Sequence, residues 1–400
     1  MSFGSERLAM IQVRKSFTLD QFEDHLSSLA EGESRLSLPN LIKAEAVGAT
    51  ASLMQLIATW GRNPDAQLKL YAPELGSVSA ANFASSPVGL AALNAARSVV
   101  SQNGESVSRR AAMMLAERYV REMHDGRLED IKAANSITLL SMDNAHHLGR
   151  PVRLYSGAGE TVRSARDLAD FLRNCFTVLM TSETRLPAAL DLAEPASGIL
   201  FEAFQNTHEH ARTNWKKDEL PRSTRGVTVG WRYVERARLV DAAGHHRVFR
   251  KYFEAVAEDE GQGRNAQFIE LSVFDGGPGL AQSWFRAREP RNIRHGDVTL
   301  EEELTAVYAC LQKGGTTKGN NSAGNGLYRI LRLTSERGGF VRLRTGRLSL
   351  ARSFAESTLF KPADVEMEDA VTGSTAAQRH AWADGTVLTI MLPVRRGARQ

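Results

Sequence analysis

Glu202, Asn206 and His210 stand four residues apart in a stretch, about Ala196 to Arg212, whose residues Ile199, Leu200, Ala203, Phe204 and Thr207 follow a helical period. A helix with this pattern buries one stripe and carries a carboxylate, an amide and an imidazole in a row along the adjoining face. It must therefore lie on a core while its polar row faces a space where polar chemistry is tolerated.

The neighbouring patterns supply such a core. Val227 to Arg232 and Phe268 to Phe274 read as strands, the second ending in Asp275-Gly-Gly-Pro-Gly279. Between them lies a charged insertion with His245-His246, which reads as a solvated hairpin turn. Thr299-Leu-Glu-Glu302 caps a helix running to Gln312. Lys313 to Leu327 then places five glycines in a loop that feeds a helix of Leu327, Ile330, Leu331 and Thr334. Gly338-Gly339 ends that helix, strand Phe340 to Arg344 follows, and Gly385-Thr386 opens a last strand reaching Pro393. Upstream, Val152 to Tyr155 reads as a strand, and Ser164-Ala-Arg-Asp167 as a capping box before a helix with Leu168, Phe171, Leu172, Cys175, Phe176 and Leu179 on one face.

Before these elements the pattern differs. Arg35 to Leu38, Ala44 to Trp60 and Leu68 to Tyr71 read as a β-α-β unit with a turn at Arg62-Asn63-Pro64-Asp65. Arg109 to Met123 reads as one helix, and Ser136 to Leu140 as a short strand. The division expected from this shift is an N-terminal α/β interaction or regulatory domain over 1–155 and a second domain over 156–400.

The chain has 400 residues, 50 Lys+Arg against 46 Asp+Glu, and so a formal charge of +4. That near balance excludes a protein that coats a polyanion, and leaves nucleic acid as a weakly supported partner. The two cysteines, Cys175 and Cys310, have no Cys or His at metal-ligand spacing, so they read as packing residues in a reducing compartment. Met1 to Arg7 lacks the apolar stretch of a signal peptide, and no run is long enough to span a membrane. A cytoplasmic protein without a membrane partner is expected.

A carboxylate and an amide on one helix face, an Asp at a strand end among glycines, and a glycine-rich loop before a helix suit a nucleotide. Backbone N–H groups of such a loop and the positive end of its helix cradle phosphates, and side chains there would block the approach. Asn206 offers an oxygen to Mg2+, and Glu202 one turn earlier is placed to orient or deprotonate a water. No Gly-x-x-x-x-Gly-Lys-Ser/Thr sequence occurs, so a P-loop protein is not expected.

In their order and context these boxes resemble the GHKL superfamily, whose Bergerat-fold ATP-binding domain is shared by gyrase-type ATPases, large heat-shock chaperones, sensor histidine kinases and anti-sigma-factor serine kinases. The resemblance covers about residues 160 to 393. Phe201-Glu-Ala-Phe-Gln-Asn-Thr-His-Glu-His-Ala211 is similar to the N box, with Glu202 as the base, Asn206 as the Mg2+ ligand and His210 where kinases of the family often carry a His. Asp275 would accept the adenine amine, with Gly277 and Gly279 letting the chain pass the base. Residues 313–327 look like the lid and glycine box, with Gly324, Gly326 and Leu327 matching and Lys318 able to reach the γ-phosphate. The Thr386 hydroxyl would support Asp275 through water. The lid carries one Gly-x-Gly where many members have a longer series.

The resemblance implies an α+β Bergerat sandwich, with helices on one face of a mixed sheet and a separate N-terminal α/β domain. It implies an ATP- and Mg2+-binding switch that hydrolyses ATP through Glu202. The alternatives are a serine/threonine kinase of the anti-sigma type or a histidine kinase, and a module that binds ATP only to order its lid. The N box is closest to the anti-sigma group. A histidine kinase would need a phosphoacceptor His on a dimerising helix pair, and His146-His147 reads as a loop. The gyrase branch would need a transducer domain after Pro393, for which no room is expected. Expected partners are a protein engaging residues 1–155 and a second copy of the chain; the arginines between Arg222 and Arg250 and the basic tail form an unassigned surface.

Overall fold

The computed structural model describes residues 10–40, 42–44, 46–143, 150–157, 160–180, 185–258, 264–289, 291–314, 325–356, 360–361 and 365–395. The fold is mixed α/β, built on two large sheets. In the first, strands β1 (Ile11–Gln12), β2 (Arg35–Leu38), β3 (Gln67–Leu70) and β4 (Ser98–Val100) run parallel in sequence order, and β5 (Ser106–Val107) closes the edge antiparallel. Helices α1 (Leu19–Ala30), α2 (Ala49–Trp60) and α3 (Pro87–Ala95) make the connections. The expected β-α-β unit is present. Its helix starts at Ala49 rather than Ala44, because Gly48, at φ +75°, is the last residue before it. The expected 109–123 helix is broken into Arg109–Met114 and Glu117–Asp125.

The second sheet has seven strands: β6 (Ser136–Met142), β7 (Thr224–Glu235), β8 (Asn265–Asp275), β9 (Phe340–Gly346), β10 (Leu348–Ser353), β11 (Glu368–Asp369) and β12 (Ala383–Pro393). Their order across the sheet is β11-β10-β9-β12-β8-β7-β6, and every neighbouring pair is antiparallel. The expected mixed sheet is thus corrected; the mixed pairing belongs to the N-terminal sheet. Edge strand β6 comes from residues assigned by sequence to the first domain, so the sheets do not divide at residue 155. The upstream strand is only Tyr155–Ser156, paired with Thr161–Val162.

One face of this sheet is apolar. Leu271 and Val273 of β8, Ile390 and Leu388 of β12, Val341 and Leu343 of β9, and Val229 and Val227 of β7 lie in register. Helices α4 (Ala165–Leu179), α5 (Ala193–His210) and α8 (Gly326–Ser335) pack there. Ser164 caps α4 and Thr299 caps α7 (Leu300–Leu311), both with the reciprocal bonds of a capping box. Cys175 is buried on its expected stripe, and burial raises its thiol pKa.

The opposite face is not open, which corrects the expectation of helices on one face only. Glu270 and Ser272 of β8, Thr389 of β12, Thr228 of β7, and Arg342 and Arg344 of β9 point there, all buried. Helices α1 and α2 cover them, and α6 (Arg247–Glu258) covers Phe268, Phe340 and Met391 beyond. Polar burial of this kind requires partners, and each of these side chains has at least one. The Gly48 N–H donates to Glu270 Oε1 at 3.0 Å, Gln55 Nε2 to the Arg344 carbonyl at 3.1 Å, and Arg342 Nη1 to Ser52 Oγ at 3.0 Å. A Cβ on Gly48 would stand 2.7 Å from Thr389 Oγ1, so glycine serves both the left-handed φ and the close approach. His246, expected in a solvated turn, is buried, its Nε2 3.4 Å from Asp20 of α1. No helix among the described residues is long and apolar enough to cross a membrane.

Candidate functional site

Five strands meet in a single row at one end of the helix-covered face. Thr345, Thr386, Asp275, Arg225 and Ser141 are successive register partners across β9, β12, β8, β7 and β6. The row is polar where the rest of that face is apolar, and Asp275 lies at its centre. Asp275 is buried; burial pushes its carboxyl up to about 6, against the pull of the Gly277 and Thr386 N–H groups and of Arg225 and Arg62. Its Oδ1 accepts the Gly277 N–H at 2.8 Å.

The glycines of this turn are required by proximity. A Cβ on Gly277 would lie 2.5 Å from Ala211 Cα, just past α5, and one on Gly385 would lie 1.9 Å from the Asp275 carbonyl. Gly279 has φ +85°, and its Cβ would meet Thr345 Oγ1 at 2.8 Å. Thr345 Oγ1 accepts the Leu280 N–H at 3.0 Å, donates to the Gly385 carbonyl at 3.2 Å and lies 3.4 Å from Thr386 Oγ1. Asp275, Gly277, Gly279 and Thr386, far apart in sequence, are therefore one cluster.

A second cluster forms where α5 meets α8. Glu202 Oε1 accepts Arg329 Nη1 at 3.0 Å, and a Cβ on Gly326 would stand 2.8 Å from Glu202 Oε2. The first turn of α8 thus rests on the Glu202 carboxylate. Asn206 lies between the clusters, half-buried, with no partner for its amide among the described residues. His210 is half-buried, its Nε2 3.9 Å from Glu209 Oε2. Leu327 packs against the core. Along α5, Glu202 and Ala211 are separated by roughly 13 Å at the helical rise. Lys318 and Gly324 lie outside the described residues, as do His146, His147 and the end of the basic tail. Gly314 and Asn325, either side of 315–324, are joined by a 3.0 Å bond from the Gly314 N–H to Asn325 Oδ1.

Three residues enter the site that sequence reasoning missed. Arg329 pairs with Glu202; its signal was a basic residue in the first turn of a helix, where the macrodipole disfavours one. Thr345 bridges the turn and the last strand and carries no sequence signal. Arg225 is fully buried, with Nη2 2.9 Å from Asp143 Oδ1 and Nη1 3.1 Å from His208 Nδ1. Burial and the cation of Arg225 lower the His208 pKa to about 4, so this imidazole is neutral at pH 7.

Among the described residues no group of three or more His, Cys, Asp or Glu side chains could hold a metal ion. No family model matches the chain, and no curated protein or solved structure matches it.

Proposed function

We propose that the chain binds ATP with Mg2+ between α5, the Asp275–Gly279 turn and the start of α8, in the manner of a Bergerat-fold GHKL module, and works as a nucleotide-controlled switch that hydrolyses ATP. The observation that carries this reading is the convergence of sequence-distant boxes on one helix: Ala211 against Gly277 at its end, and Glu202 against Gly326 farther back.

Asp275 would accept the exocyclic amine of adenine. A carboxyl held near 6 is mainly ionised at neutral pH and so serves as an acceptor. With no side chain at Gly326, backbone N–H groups at the α8 N-terminus would be within reach of phosphate oxygens once the Glu202 carboxylate, which rests there, turns toward water. Asn206 would offer its amide oxygen to Mg2+, which supplies neutralisation of phosphate charge. Glu202 would orient the attacking water once Arg329 leaves the carboxylate, since an ion-paired carboxylate is a poorer base.

The test incubates the full chain with Mg2+ and γ-labelled ATP, alone and with cell extract, beside Glu202→Ala and Asp275→Asn. Free phosphate released by the wild type and reduced at least a hundredfold in Glu202→Ala is the expected result. Label transferred to another protein would replace hydrolysis by a kinase activity, and unchanged ATP binding in Asp275→Asn would remove the assignment altogether.

A further inference from the structure

Behind the Asp275–Gly279 turn, on the α2 side, lies a cavity of about 20 Å3 whose lining includes three arginines, Arg62, Arg97 and Arg222. Arg62 follows α2, Arg97 follows α3 and Arg222 precedes β7, so the cavity sits on the seam between the N-terminal unit and the seven-stranded sheet. Its remaining wall is mostly apolar, with Met54, Ile57 and Ala91 among the lining residues.

The charge here is unbalanced. None of the three arginines makes an ion pair with a carboxylate among the described residues. The longer-range influences on Arg62 are Asp384 and Asp275, against Arg294 and Arg97, while Arg222 faces Arg109 and Arg97. Burial lowers the pKa of Arg62 and Arg222, and their arginine neighbours lower it further. Each guanidinium has five N–H donors. Arg62 gives one to the Gly276 carbonyl, Arg222 Nη1 gives one to the Ala96 carbonyl at 2.8 Å, and the Arg97 side chain gives none to the described residues. Arg222 also holds φ at +59°, a conformation that costs a non-glycine residue energy and is kept only where the surroundings fix it. Asn94 Nδ2 does so from α3, reaching the Arg222 carbonyl at 3.4 Å and Thr224 Oγ1 at 3.1 Å.

Arg62 and Arg222 are half-buried without a paired carboxylate among the described residues, and Arg97 is exposed beside them, so the cluster presents positive charge that an anion would compensate. We infer that this seam is an anion site, separate from the nucleotide site, that takes a single phosphate-type oxyanion on Arg62, Arg97 and Arg222. The fork of a guanidinium matches two oxygens of such a group. The cavity admits one or two water-sized groups, so the leading oxygens enter and the rest of the ligand stays at the mouth. Because Arg62 also holds the Gly276 carbonyl, an anion here would fix the position of the turn that carries Asp275. This inference goes beyond the nucleotide reading and does not depend on it.

Inorganic phosphate is the probe. It is titrated into the full chain at low salt, with thermal melting and calorimetry as readouts, for the wild type, Arg97→Gln, Arg62→Met, Asp275→Asn and Arg329→Ala. Saturable binding in the wild type, weakened at least tenfold in Arg97→Gln and Arg62→Met and no weaker in Asp275→Asn, is expected. Arg97 is exposed and makes no bond among the described residues, so its variant should melt like the wild type without phosphate. The inference is overturned if no saturable binding is seen, if both arginine variants bind as the wild type does, or if the loss follows Arg329→Ala instead. Binding of duplex DNA with a steep salt dependence in the absence of phosphate binding would overturn it too. Loss of ATP binding in Asp275→Asn with phosphate binding retained separates the two sites.

Discussion

The two faces of the seven-stranded sheet bury comparable rows of residues by different physics. Under α4, α5 and α8 the rows are Leu, Ile and Val, and the contact is held by apolar area. Under α1 and α2 they are Glu270, Ser272, Thr389, Arg342 and Arg344, held by hydrogen bonds and ion pairs. Apolar contact tolerates small shifts, whereas a paired buried charge accepts only its own geometry. The first face therefore lets the helices that carry the site shift slightly against the sheet. The second fixes how the N-terminal unit sits on the sheet, and makes that docking sensitive to single charges.

Glu23 of α1 is the sharpest place to break this contrast. Its two oxygens take Arg344 Nε at 3.0 Å and Nη2 at 3.1 Å, with Arg342 Nη2 3.7 Å away. Arg342 and Arg344 are fully buried. Glu23→Ala would strand both guanidiniums, at a cost of about 3–5 kcal/mol, seen as a lowered urea midpoint. On the other face, Ile390→Val should cost about 0.5–1.5 kcal/mol. A Glu23→Ala cost no larger than that of Ile390→Val would show that the polar face is not held by this pair. Burial raises the Glu23 carboxyl, but the two arginines outweigh it and hold its pKa below the ordinary value of 4.5. Its contribution is therefore complete above about pH 4.5 and is lost as the pH falls through the lowered native value.

Asp275 should respond with the opposite sign. Its native carboxyl, near 6, lies above the ordinary 3.8, so its stabilising effect is complete below pH 3.8 and lost as the pH rises through about 6. At pH 7 Asp275→Asn should therefore raise stability, by at most on the order of 2–3 kcal/mol, while ATP affinity falls. A residue that gains stability when neutralised and loses binding is kept for function. A variant that melts lower and binds ATP normally would assign Asp275 to structure instead.

The difference between the faces also sets what was legible. The apolar stripe of α5, the caps Ser164 and Thr299, and the strand Arg35–Leu38 are local patterns, and the structure has them where periodicity and capping chemistry place them. The boxes around Asp275 were legible because each marks a strand or helix end, and their clustering follows from the pairing of β8 with β12. The polar face was not legible. Alternation such as Glu270-Leu271-Ser272-Val273 reads as one buried and one solvated side, and nothing local connects Glu23 to Arg344. The same blindness to distant pairing put Ser136–Met142 in the wrong unit and left Arg329 out of the site.

The smallest effect on stability, and the finest probe of the helix-covered side, is at Arg329. Its pair with Glu202 is partly solvated, with side-chain exposures of 46% and 21%. Arg329→Ala should therefore change stability by less than about 1 kcal/mol, in contrast to the charge pairs across the sheet. Its functional effect is expected to be larger than its structural one. With the guanidinium gone, Glu202 is free to act on water, and phosphate release should rise a few-fold in the absence of any partner. If release instead falls while the melting temperature stays put, Arg329 acts on the phosphate and its bond to Glu202 is a resting contact broken when nucleotide enters. Either result ties Arg329 to turnover, and an unchanged rate would leave its pair with Glu202 as an ordinary surface ion pair.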